Sequence, residues 1–308
     1  MAYYKGTAGD DHIVVPASGE FDSIDALTGS DVIELGPGHT GNSHITLGDG
    51  GDTVQGGSGA DFVGWSGFTS VDDTNIHTGA GDDFVALNRS SELGDNIVLD
   101  GGAGRDEFWV GGRGAFVHLG NGTALVGPED EPGVFHEVSV LDFEGIEATL
   151  GHDILVGTDG GNVFQGFFGN DLLSGRGGTD HLDGSYDDDI LVGGRGADGL
   201  RGGSGADIFR IDRLVESLPG QEDTVLDFNA GDGDRIDLSR IDADLTTAGN
   251  QAFTFVGTAA FSGAAGELRY EVVGEDLLVS ADADGDGVAD LAVKARDLTQ
   301  LAAADFIL

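Results

Sequence analysis

The sequence predicts an all-β fold, a solenoid of very short strands that stack to bury one another's apolar residues. Three observations carry this. Asp153, Asn162, Asp171, Asp180, Asp189, Asp198 and Asp207 recur every nine residues. Two positions after each stands an apolar residue: Leu155, Phe164, Leu173, Leu182, Leu191, Leu200 and Phe209. Ahead of each lies a glycine-rich stretch, as in "GGRGADGLRGGSGADIF" at 193–209.

Each part of the unit has a physical reason. Glycine dominates where a turn needs positive φ or where backbone must approach another group closely. The residues that follow, such as Asp189-Ile190-Leu191, suit a strand whose apolar member points inward and whose neighbours point outward. One such unit cannot bury its apolar residue alone, so the units must stack.

Charge narrows the partners. With 14 basic and 56 acidic residues among 308, the formal charge is 14 − 56 = −42, spread from Asp10 to Asp305. A compact body of that charge repels itself unless cations neutralise it. Nucleic acid and anionic membranes are poor partners for such a surface, and divalent cations are favoured. The chain has no cysteine, which removes disulfides and thiolate metal sites. The N-terminal stretch "MAYYKGTAGDDHIVV" shows no basic region leading into an apolar one, so no cleavable signal peptide is expected. No apolar run has membrane-spanning length.

The repeat matches G-G-x-G-x-D-x-U-x and resembles the calcium-binding nonapeptide of the RTX (repeats-in-toxin) family. The resemblance implies a right-handed parallel β-roll with two nonapeptides per coil. Several Ca²⁺ ions would lie between the turns, held by the sixth-position Asp and by backbone carbonyls such as those of Gly175, Gly177, Gly193 and Gly202. A hard cation seeks six or more oxygens, which open turns provide. Alternate repeats would then share an edge. Asp153, Asp171, Asp189 and Asp207 fall on one, and Asn162, Asp180 and Asp198 on the other. Asn162 offers only a neutral oxygen, so its site is expected to be the weakest. The competing reading is that these aspartates merely cap turns.

The first half repeats the phrase more loosely. "GTAGDDHIV" gives Asp11, "LGDGGDTVQ" Asp52, "GGSGADFVG" Asp61, "TGAGDDFVA" Asp83 and "GGAGRDEFW" Asp106, all candidate calcium ligands, with Asp31 in a poorer context. Spacings of 20 to 23 residues suggest wider coils. In "GGRGAFVHL", Phe116 stands where Asp belongs, so a ligand is expected to be lost there. The expected organisation is a degenerate roll over 1–116, an irregular connecting coil over 117–150, a regular roll over 151–215, and a C-terminal β cap with secretion domain over 216–308. The stretch 223–242, "DTVLDFNAGDGDRIDLSRID", resembles the module that follows the repeats in serralysin-type proteases and in mannuronan epimerase R-modules. Within the cap, "DADGDGVAD" spaces Asp282, Asp284, Asp286 and Asp290 like an EF-hand loop, although Val293 stands where a bidentate Glu is expected. The final Asp305-Phe306-Ile307-Leu308 resembles the terminal signal of type I secretion substrates.

No catalytic motif is visible. The eight histidines contain no H-E-x-x-H pair, and neither a G-x-S-x-G elbow nor the Asp-Pro-His motif of the epimerases is present. Trp65, Phe68, Phe108 and Trp109 are the one aromatic concentration, which would suit sugar stacking or, more commonly, core filling. The reading is a secreted, extracellular, non-enzymatic calcium-binding protein, exported unfolded through a type I ABC exporter and folding on meeting calcium. A polysaccharide-active enzyme or its accessory module, contacting acidic or neutral polysaccharide, is one alternative. A surface adhesin or layer component is the other.

Overall fold

Strands of three to six residues between glycine turns are too short to stand alone, and each carries an inward apolar residue that only a neighbouring coil can cover. The computed structural model, which describes the 308-residue chain apart from residues 67–70, 72, 88–92, 94–95 and 128–134, has that arrangement. It forms two compact units, Met1–Leu155 and Val156–Leu308. Regular structure among the described residues is β throughout, apart from three single 3₁₀ turns. No helix among them is long and apolar enough to cross a membrane.

In the first unit, strands alternate between two parallel sheets. Asp22–Asp25, Ser43–Leu47, Phe62–Trp65, Phe84–Leu87, Glu107–Val110 and Gly145–Glu147 pair successively in one. Their register stacks Ile24, Ile45, Val63, Val85, Phe108 and Ile146 in a column, each at most 1% exposed. In the other sheet, Ile33, Val54, Ile76, Leu99 and Val140 form the matching column. Each such side chain contributes roughly 1.5–3 kcal/mol by leaving water. The stretch over 117–150 contains an antiparallel departure from this pattern. Thr123–Val126 pairs with both Ala115–His118 and His136–Leu141, so the region carries sheet in addition to turns.

In the second unit the coils are regular. Phe164, Leu182, Leu200 and Val225 form one column, while Leu173, Leu191, Phe209, Ile236 and Phe306 form the other. Glu267–Val273, Asp276–Asp282 and Leu291–Ala295 then pair antiparallel, Leu291–Ala295 lies parallel to Asp223–Val225, and Thr254–Gly257 beside Glu267–Val273 ends that sheet. The end of the other sheet is Phe306–Ile307, paired with Arg235–Asp237. The expected C-terminal signal is thus the last rung of a sheet, with Phe306 buried.

Candidate metal centres in the glycine turns

Each position of the nonapeptide answers a separate geometric demand in the second unit. The sixth-position carboxylate is buried, and one of its oxygens accepts the backbone N–H of its counterpart one coil earlier. Asp171 N–H donates to Asp189 Oδ1 at 2.8 Å, and Asp189 N–H to Asp207 Oδ1 at 2.9 Å. On the other edge Asn162 N–H donates to Asp180 Oδ1 at 2.7 Å, and Asp180 N–H to Asp198 Oδ1 at 2.8 Å. Adjacent repeats therefore lie on opposite edges, and partners stand eighteen residues apart.

The first glycine exists to make room. A Cβ on Gly175 would stand 2.0 Å from Asp180 Oδ2 and 2.7 Å from the carbonyl oxygen of Gly193. At Gly193 and Gly202 the obstructing atoms are Oδ2 of Asp198 and Asp207, at 2.5 and 2.3 Å. Gly177 sits elsewhere in its turn, nearest the backbone of Asp159 and Arg195. The second and fourth positions need left-handed backbone, with φ of 99° at Gly194 and 140° at Gly196. Arg176 and Ser185 hold the second position without being glycine, at φ 76° and 81°.

This packing leaves a line of unanswered oxygens. Oδ2 of Asp31, Asp52, Asp83, Asp106, Asp180, Asp189, Asp198 and Asp207 is buried with no hydrogen-bond partner. Among the described residues no ion pair reaches these eight side chains. Burial outweighs the backbone hydrogen bonds and pushes the carboxyls up, to about 6 at Asp61, Asp106, Asp153 and Asp207. Asp52 and Asp180 reach about 7 and Asp189 about 8. Orphaned carboxylate oxygens beside backbone carbonyls are the donor set of a hard divalent cation, so these residues fit calcium.

Four turns answer their own oxygen instead, three of them through a threonine. Thr158 N–H donates to Asn162 Oδ1 at 2.9 Å, and Thr149 N–H and hydroxyl donate to Asp153 Oδ2 at 2.8 and 2.9 Å. Thr7 does the same for Asp11 Oδ2. Asp61 Oδ2 receives the Gly57 N–H at 3.2 Å. A threonine at the second position therefore marks a turn that already supplies hydrogen bonds where other turns leave an oxygen bare.

The first unit builds ladders of the same kind over wider coils. Asp11 N–H donates to Asp31 Oδ1 and Asp31 N–H to Asp52 Oδ1, at offsets of 20 and 21 residues. On the other edge Ser43, Asp61, Asp83, Asp106 and Glu144 are linked in succession, with Glu144 Oε2 closing the row. One register differs from expectation. Ala115, not Phe116, takes the Asp position, since its N–H donates to Asp153 Oδ1 and Val117 fills the inward place. The turn is one residue shorter than the motif, which leaves Phe116 half-exposed on the outward side.

Besides Ser43 and Glu144, two aspartates of the second unit belong to the ladders and were not among the sequence candidates. Asp198 N–H donates to Asp223 Oδ1 at 3.1 Å, and Asp207 N–H to Asp234 Oδ1 at 3.0 Å. Both keep the motif's spacing to an inward apolar residue, Val225 and Ile236, and that was the available signal. Burial and the charge of Asp198 raise the Asp223 carboxyl. The family model for the C-terminal part of serralysins, peptidases of family M10, matches residues 49–308. The chain belongs to this family. As a serralysin C-terminal domain it is of the RTX type, the non-catalytic repeat part of such proteins, and membership implies a secreted calcium-binding repeat protein. The solution structure of the AlgE6R3 subunit of the Azotobacter vinelandii mannuronan C5-epimerase is similar in sequence at 29% identity, over 51% of this chain and 77% of that one, with a TM-score of 0.25. No curated protein matches.

The cap of this serralysin-type domain holds a separate acidic group. Ligand oxygens of Asp282, Asp284 and Asp290 lie within 4.8 Å of one another, whereas Asp286 is outside the group and accepts the Val288 N–H. Asp282 is buried and receives the N–H groups of Gly285 and Gly287 at 2.7 and 2.9 Å. Val293 packs in the core. Phe108 and Trp65 are buried, Trp109 is half-buried, and Phe68 lies outside the described residues. His44, Phe62 and Phe84 stack face to face one coil apart, so the two ring faces at each contact cover each other.

Proposed function

We propose that the chain is a calcium-dependent repeat domain that is exported unfolded and acquires its fold outside the cell. The observation that carries this is the row of buried Oδ2 atoms without partners, in a chain whose formal charge is −42. Calcium would be held by Oδ2 of Asp31, Asp52, Asp83, Asp106, Asp180, Asp189, Asp198 and Asp207, with Asp171 in the same register and neighbouring glycine carbonyls. It would supply positive charge to carboxylates that otherwise face one another across coils. Asp11, Asp61, Asp153 and Asn162 would make weaker sites, because hydrogen bonds within the turn already engage the oxygen concerned. Asp223 and Asp234 would extend the two rows into the cap.

Export fits the same chemistry. An ion that binds only the folded chain stabilises it by mass action, so a calcium-poor cytosol keeps the chain unfolded for a type I ABC exporter. The residues Asp305–Leu308 would be the exporter's signal while unfolded, and afterwards Phe306 is buried as a rung of the sheet. The role is structural, with no catalytic motif in the sequence. Equilibrium dialysis against calcium tests the assignment. A chain carrying Asp180→Asn, Asp189→Asn, Asp198→Asn and Asp207→Asn is expected to bind fewer ions than the parent, while Asp11→Asn and Asp153→Asn change the count little. Equal stoichiometry for the parent and the fourfold variant would refute it.

A further inference from the structure

The outward face of one sheet in the second unit carries a mixed notch of about 260 Å³. Its plan follows from the register. Val163, His181 and Gly199 align in one row across three coils, and Gln165, Asp183 and Arg201 align in the next. Neighbouring members of a row stand about 4.8 Å apart, the spacing of paired strands. Gly199 is the missing tooth. The atoms nearest a Cβ there would be those of His181 and Leu226, at 3.6 to 3.7 Å, so the empty place is walled by an imidazole and a leucine. Beside it lie three kinds of hydrogen-bonding group: an amide, a carboxylate and a guanidinium. Arg201 Nε stands 3.9 Å from Asp183, close enough to orient both groups and too far for a tight hydrogen bond.

We propose that this notch binds one ring of a neutral hexose-containing glycan. Its volume suits a single pyranose more than a peptide side chain with backbone. A flat imidazole and the apolar Val163 and Leu226 can face the ring's C–H side, while Gln165, Asp183 and Arg201 present donors and acceptors to its hydroxyls. The charge setting selects against an anionic sugar. Asp183 lies in the notch, Asp227 is near enough to act on it, and the whole chain repels polyanions. The assignment requires the folded unit and is independent of where calcium binds.

The test uses the full chain in calcium, with maltohexaose, cellohexaose, mannohexaose and, as the charged control, hexagalacturonate, followed by calorimetry and by NMR of the His181 ring. At least one neutral hexasaccharide is expected to bind saturably and to shift His181. Arg201→Ala is expected to weaken that binding at least tenfold. Gly199→Val fills the notch at a position where Val163 stands two coils earlier, and is expected to abolish binding while the melting temperature in calcium is kept. A neutral sugar that binds equally well to both variants would overturn the proposal. So would failure of all three neutral probes, or preference for the hexagalacturonate. The far-UV β signal of each variant in calcium and in chelator, read in parallel, reports on the calcium reading separately.

Discussion

At the scale of the residue, the sixth-position carboxylate does two jobs with two oxygens. One holds the preceding coil through its backbone N–H, and the other is left buried and bare. An asparagine can keep the first bond and removes the charge that makes the second oxygen costly. Asp189→Asn is therefore expected to act with opposite signs in two buffers. In calcium it should destabilise by about 1–3 kcal/mol, the cost of a lost charged partner. In chelator it should be neutral or stabilising, because burying an unpaired carboxylate is worse than burying an amide. Urea titrations of both proteins in calcium, and in chelator with trimethylamine N-oxide added to populate the folded metal-free chain, check this, and a loss of equal size with and without calcium would contradict it.

At the scale of the element, the turn and the following strand form a proton-sensitive pair when calcium is absent. The carboxyls of Asp61, Asp106 and Asp207 lie at about 6, those of Asp52 and Asp180 at about 7 and that of Asp189 at about 8, against about 4 in an unfolded chain. The folded state therefore binds more protons. The stabilisation is present below about pH 4 and is lost as pH rises through 6 to 8. Metal-free chain, unfolded at neutral pH, is expected to gain β structure on going from pH 8 to pH 5. Far-UV circular dichroism at pH 5, 6, 7 and 8 in chelator measures this gain, and no change across them would contradict it. How far these elements could be read from sequence depended on distance along the chain. The run from Asn162 to Asp207 was legible because turn, carboxylate and apolar residue recur at constant spacing. Asp223 and Asp234 kept the local spacing, but stand 25 and 27 residues from their ladder partners, which hides the period. The place of Ala115 was not legible either, since only the pairing to Asp153 reveals the shortened turn. Nor was the part played by Thr7, Thr149 and Thr158, whose hydroxyls and N–H groups gain meaning only once the carboxylate's two oxygens are told apart.

At the scale of the whole molecule, two columns of buried side chains in each unit pull coils together, and a formal charge of −42 pushes them apart. Hydrophobic burial grows with every added coil, and so does the number of carboxylates lined up along each edge. Under the proposed reading, cations in the turns would change that balance without altering a contact in the core, which would make the fold a property of the medium as well as of the chain. The balance also explains why membership of the serralysin C-terminal family was the most legible property of all. Glycine, carboxylate and apolar spacing are dictated by the same stacking geometry in every coil. The most direct measurement is far-UV circular dichroism of the full chain at neutral pH and moderate salt during a calcium titration, with magnesium as control. The account predicts an unfolded spectrum in excess chelator and a cooperative gain of β signal on adding calcium. A full native β signal in excess chelator would contradict it.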